Sequence, residues 1–203
     1  MVAIISGLLS AGCSVFGVRN EKTPAYTVER TIGSGVEIRH YGPRLAAETA
    51  VSGTESAARS KGFQRLAGYI FGGNTSKASI DMTAPVTQSK SIDMTAPVSQ
   101  TRNGNDQFRI RFFMPANYTL ETLPRPNDQA IEIVTVPSET IAVLRYSGST
   151  GAEAVHASEA TLMRAVTAAG LHPSGAPFTW FYDPPWTLPP LRRTEAAVIL
   201  QPN

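Results

Sequence analysis

The chain is short of several things that usually announce a function. Cysteine is nearly absent: Cys13 is the single one in 203 residues, which excludes an internal disulfide framework and a cysteine-based zinc site. Charge of one sign is missing too, since 18 Lys and Arg against 16 Asp and Glu leave a net +2. No strong field therefore draws the protein to nucleic acid or to anionic lipid. Histidine is scarce, at three residues, and no C-x-x-C-H occurs, so covalent c-type haem attachment is excluded. The signatures G-x-S-x-G, H-E-x-x-H, G-x-G-x-x-G and the P-loop are likewise missing, and no acid/base pair stands out locally, which leaves an enzyme reading without support.

What is present is enough apolar material for a core, 42% of the residues, in a length that suits one large domain or two small ones. Residues 2–12 form an apolar run that ends in small residues directly before Cys13. This resembles the end of a bacterial lipoprotein signal, which is cleaved before a cysteine whose thiol then carries a lipid. The run is too short for a transmembrane helix. It departs from the pattern in having Ser10 at position −3, and no Lys or Arg precedes it as a signal's n-region requires. The expected organisation is a lipoprotein signal over 1–13 with lipidation at Cys13, a tether over 14–33, and a folded domain over 34–203. That places the protein at the bacterial cell envelope, membrane-anchored through its N-terminal lipid, with Ser14 at +2 pointing to the outer membrane. The alternatives are another export segment, or a cytoplasmic N-terminus with Cys13 buried.

The folded part repeats. Residues 36–53 align without gaps on 131–148, an offset of 95 (131 − 36), with Glu37/Glu132, Ile38/Ile133, Ala47/Ala142, Ser52/Ser147 and Gly53/Gly148 identical. Each copy reads as strand, Pro-bearing turn, strand and helix entry. Helical spacing follows in both. Phe63, Leu66, Ala67 and Ile70 form a stripe over about 55–71, and Val155, Leu162, Val166 and Ala169 form one over 151–169. Further strands are expected at Ile80–Val86, Ile92–Val98, Phe108–Met114, Phe178–Tyr182 and Glu195–Leu200. A period of this length is not a solenoid; it describes a pseudo-twofold α+β domain with halves at about 34–115 and 129–203. Inside the first half, S-I-D-M-T-A-P-V-T-Q (79–88) recurs as S-I-D-M-T-A-P-V-S-Q (91–100), and Pro85 and Pro97 belong at strand ends or bends.

M-T-A-P-V (82–86 and 94–98), R-F-F-M-P-A-N-Y-T-L-E-T-L-P-R-P-N-D (111–128), V-P-S-E-T-I-A-V-L-R-Y-S-G (136–148) and Y-D-P-P-W-T-L-P-P-L-R-R-T-E (182–195) together resemble the SOUL haem-binding protein family. The resemblance spans about residues 34–200. It implies a distorted antiparallel β-barrel with two flanking helices and two similar halves, as in gyrase-inhibitor-like small-molecule-binding domains. It implies non-covalent binding of haem or a related tetrapyrrole, with no reaction and no metal beyond haem iron, in an apolar cleft along the first helix, faced by a loop near 171–177. The first helix then offers Phe63, Leu66, Tyr69 and Ile70 to the macrocycle, with Arg59 and Arg65 for the propionates. A core stripe and a solvated charged face explain the same residues. His172, in the loop after the second helix, is the most attractive axial ligand, ahead of His40 and His156; a surface histidine is its plain alternative. Met82 and Met94 read as core, and Trp180, Tyr182 and Trp186 as aromatic core and loop anchor. Asp81 and Asp93 read as solubilising strand-edge charges. The rival function is an envelope module that binds another apolar small molecule or a protein partner.

Overall fold

The computed structural model describes residues 23–33, 35–90, 107–183 and 186–202. Among them nine strands form one antiparallel sheet, curled into a half-barrel: β1 (Tyr26–Ile32), β2 (Val36–Tyr41), β3 (Arg44–Ser52), β4 (Val86–Lys90), β5 (Gln107–Phe113), β6 (Glu132–Val136), β7 (Glu139–Tyr146), β8 (Phe178–Phe181) and β9 (Thr194–Ile199). Two helices, α1 (Glu55–Ile70) and α2 (Ala152–Ala168), pack on its convex face against β3 and β5, and against β7, β8 and β9, respectively.

The strand order is β1-β2-β7-β9-β8-β4-β5-β3-β6. Leaving out β1, it reads the same in reverse when each element of the first half is exchanged for its counterpart in the second. The register keeps this relation: Glu37 faces Val143 in one ladder and Glu132 faces Glu48 in the other, the same pair after the 95-residue shift of the sequence repeat. The two copies thus exchange strands. β2 pairs with β7, β3 pairs with β6, and β4 lies against its counterpart β8 at the centre.

Alternation divides the side chains between two faces. Phe108, Ile110 and Phe112 go under α1 with Leu66, Tyr69 and Ile70, while Val36, Ile38, Ala142 and Val198 go under α2 with Leu162 and Val166. Tyr41, Phe113, Ile141, Val143, Trp180 and Tyr182 fill the concave side. α1 lies close on the sheet at Gly62, where an added Cβ would meet Ile110 Cγ1 at 2.4 Å. That contact turns the helix so that Ala58, Gly62, Leu66, Tyr69 and Ile70 are buried, and Phe63, expected in the stripe, is left 39% exposed on the flank. On α2, Val155, Leu162 and Val166 are buried as expected, while Ala169 is the exposed C-cap.

Two sequence expectations are corrected. The segment 14–33 is not a tether throughout, because Tyr26–Ile32 is strand β1, paired antiparallel with β2. Its side chains are exposed or half-buried on both faces, so it carries no alternation to read. The strand expected over Ile80–Val86 begins only at Val86. Pro85 has no N–H to give a ladder, and Ile80 and Ala84 are buried from irregular backbone instead. The expected strand Ile92–Val98, with Asp93 and Met94, lies outside the described residues, as do Cys13 and the 1–13 segment.

Candidate functional site

The side chains expected along the first helix separate into three groups. Leu66, Tyr69 and Ile70 face the sheet and are at most 1% exposed. Tyr69 is fixed further by its hydroxyl, which donates to Pro124 O at 2.7 Å, and burial pushes its pKa up to about 12. These three are core. Arg65 leaves one flank of α1, where Nη1 donates to Thr49 Oγ1 at 2.9 Å and Nε sits 3.2 Å from Asp128. Arg59 and Phe63 leave the other flank. Six residues separate the two arginines, about 120° around a helix, so they point to different places and cannot clasp one ligand between them.

Arg59 lies over the ring of Phe181, its Cζ 4.2 Å from the centroid, and Nη2 donates to Thr150 O at 3.1 Å. Its Nη1 is buried with no hydrogen-bond partner among the described residues. Burial outweighs the opposing pull of the neighbouring Glu55 charge and holds the guanidinium pKa below its usual value. The 148–150 turn that Arg59 touches also carries the loop before β9, since Gly148 N donates to Pro189 O at 2.8 Å. That loop exposes Trp186 (63%), Leu188 (46%) and Leu191 (43%), whereas Trp180 and Tyr182 are buried. Arg59 and the 186–192 loop both meet the 148–150 turn, and the three together make up a ledge beside α1.

One turn toward the start of α1, a cleft of about 320 Å³ opens between the helices over β4 and β8. Glu55, Gln88, Phe108, Val155, His156, Glu159 and the loop residues Ala176 and Pro177 line it. Ala176 and Pro177, at the end of the 171–177 loop, border this cleft together with Glu55 of α1. The cleft is acidic: Glu159 accepts from Thr179 Oγ1 at 2.8 Å, and burial raises its pKa. Glu55 stands 3.4 Å from His156 Nε2. His172 is exposed earlier in the loop, its carbonyl accepting from Gln201 N at 2.9 Å, and is not among the cleft's lining residues. His40 is exposed at the end of β2, within 3.1 Å of Ser138 Oγ and 3.4 Å of Thr140 Oγ1.

The concave face holds a buried ionic cluster that was not expected from the sequence. Glu195 is fully buried; its Oε2 accepts from Arg39 Nη1 at 2.9 Å and Tyr182 Oη at 2.7 Å, and its Oε1 from Arg193 Nη2 at 2.7 Å. Burial alone would raise the carboxyl pKa, but Arg39, Tyr182 and Arg193 reverse this and hold it low. All of its partners are themselves protein groups, so the cluster braces β2, β8 and β9 and leaves nothing over for chemistry. The signal available was a glutamate opening an otherwise small and apolar strand, T-E-A-A-V-I.

The SOUL heme-binding protein family model matches residues 21–199. Heme-binding protein 2 of Homo sapiens is 28% identical over 136 residues, covering 65% of this chain and 63% of that protein. Heme-binding protein 2 of Mus musculus is 30% identical over 113 residues, covering 55% of this chain and 52% of that protein. The chain thus spans between half and two-thirds of the length of these relatives. Among solved structures, the EcmrR C-terminal domain superposes with a TM-score of 0.61 at 11% identity over 88% of this chain and 99% of that one. A hydrolase encoded by lin2189 from Listeria innocua gives 0.59 at 14% identity over 90% of this chain and 100% of that one. Identities this low speak for the fold and not for activity. The sheet, the two helices and the match over 21–199 agree on one conclusion: the chain belongs to the SOUL heme-binding protein family.

Proposed function

We propose that the protein binds haem or a related tetrapyrrole non-covalently and without catalysis, on the ledge where Arg59 and the 186–192 loop meet the 148–150 turn. The observation that carries the location is Arg59 Nη1, buried with no partner among the described residues, on a side chain that reaches the turn to which the loop exposing Trp186, Leu188 and Leu191 is bonded. A tetrapyrrole of this class is a flat apolar plate edged with carboxylates, and it needs an apolar surface for the ring and a cation for a propionate. Trp186, Leu188 and Leu191 supply the first; Arg59 supplies the second, as a charge-assisted donor. The interhelical cleft fits less well, because Glu55 and Glu159 would repel propionates. Haem, when bound, would contribute its iron, while this chain's part is to shield one ring face and hold a carboxylate. The envelope setting is a proposal resting on residues 1–13 and Cys13; palmitate labelling with Cys13→Ser as the control tests it.

Hemin titration followed in the Soret band is the test. Saturation near one equivalent is expected, and Arg59→Gln should weaken binding by about tenfold, the worth of one hydrogen bond to a charged group. Arg65→Gln, on the opposite flank, should leave the affinity unchanged. Nonsaturating absorbance, or equal affinity of Arg59→Gln and the parent protein, would favour a module for another apolar ligand or a protein partner.

A further inference from the structure

The concave face of the sheet carries a pocket that the tetrapyrrole reading does not use. Its volume is about 210 Å³, below the roughly 300–1,000 Å³ of sites for drug-sized ligands. A macrocycle does not fit there; a molecule of one or two fused rings does. Phe113, Phe178 and Trp180 make its aromatic walls. Phe178 and Trp180 meet edge to face at 5.5 Å and 69°, and the indole is held in place by its Nε1–H, which donates to Thr87 Oγ1 at 2.8 Å. A rigid aromatic corner of this kind accepts a flat ring by stacking and edge contacts.

The charges around the pocket do not cancel. Arg109 and Arg111 line it, and both reach Glu48: Arg111 through Nη2 at 2.6 Å, Arg109 through Nε at 3.5 Å. Glu139 lines it too, and is paired with Arg44. Arg44 stacks on Phe113, its Cζ 4.8 Å from the ring centroid, and its side chain is 9% exposed. Its Nε and Nη1 find no hydrogen-bond partner among the described residues. Among the described residues, three guanidinium groups therefore share two carboxylates, and the arginine with donors to spare stands against one of the wall residues, Phe113. A site with apolar aromatic walls and one uncompensated positive charge selects an aromatic anion over a neutral or cationic analogue.

We infer that this concave pocket is a second ligand site, for a small aromatic carboxylate of one or two rings, independent of the tetrapyrrole ledge on the other face of the sheet. Isothermal titration of the full chain with 2-naphthoate tests it, with 2-naphthalenemethanol and 2-naphthylmethylammonium as neutral and cationic probes. Saturable one-to-one binding of 2-naphthoate is expected, with both other probes weaker by at least about tenfold. Arg109→Gln, a half-exposed position whose loss leaves the core intact, should weaken 2-naphthoate by roughly three- to tenfold while hemin affinity stays unchanged. Saturating hemin should leave the 2-naphthoate isotherm as it was. The inference is overturned if 2-naphthoate gives no saturable heat, if the three probes bind alike, if Arg109→Gln has no effect, or if hemin displaces 2-naphthoate. Failure to bind hemin would count against the ledge alone, since 2-naphthoate reads the opposite face.

Discussion

Glu195→Ala is expected to destabilise the fold by about 3–5 kcal/mol, the cost of breaking a buried ion pair from one side. The substitution removes the carboxylate and leaves Arg39, whose side chain is 4% exposed, with only the partly exposed Glu37 at 2.7 Å to balance its charge, and deprives Tyr182 and Arg193 of their acceptor. Urea denaturation followed by far-UV circular dichroism gives the value. A double replacement of Arg39 and Glu195 by apolar residues of similar size should recover most of the loss, because the penalty is the stranded charge and not the missing attraction. The same cluster sets a pH dependence. The folded-state pKa of Glu195 lies below its ordinary value, so the stabilisation it contributes is complete above the unfolded-state value of about 4.3 and is lost as pH falls through the lower folded value. A Glu195→Ala protein no more than 1 kcal/mol weaker than its parent would show that the cluster is dispensable.

Leu66→Ala should cost about 2–5 kcal/mol and leave hemin affinity unchanged in the fraction that remains folded. Leu66 is completely buried between α1 and the sheet with Ile110 and Phe112 in the same cluster, so truncation opens a cavity that the closely seated helix cannot collapse to fill. The pairing of a large stability loss with an unchanged hemin Kd separates a core residue from a ligand contact. A weakened hemin Kd with little change in unfolding midpoint would return Leu66 to the ligand site.

Leu66 also illustrates where the sequence was legible. A stripe at helical spacing locates α1 and marks a buried face, but it does not distinguish packing on a sheet from packing on a ligand; the deciding fact is Gly62 against Ile110, a contact between residues 48 apart in sequence. The alternation of Phe108, Ile110 and Phe112 fixed β5 for the same reason that it could not fix β1. Strand β5 is buried on one face, whereas β1 is an edge strand held by backbone pairing to β2, with little apolar burial to leave a period. The repeat of 36–53 at 131–148 lies on β2–β3 and β6–β7. The exchange of strands between them, β2 with β7 and β3 with β6, is a choice of partner that no local pattern records. Arg59 is legible as a cation on a helix flank, but the 186–192 loop meets the turn that Arg59 touches through the Gly148–Pro189 hydrogen bond, more than 110 residues of chain beyond α1.

The proposed tetrapyrrole site rests on a ring face and a propionate, with no protein ligand on the iron. The most direct measurement is a side-by-side titration of the full chain with hemin and with metal-free protoporphyrin IX, which share ring and propionates and differ in the iron. Affinities within about tenfold of each other, less than ~1.4 kcal/mol, are what ring and propionate contacts predict. Tight, saturable hemin binding with protoporphyrin IX bound far more weakly would contradict the claim and place a ligand on the iron.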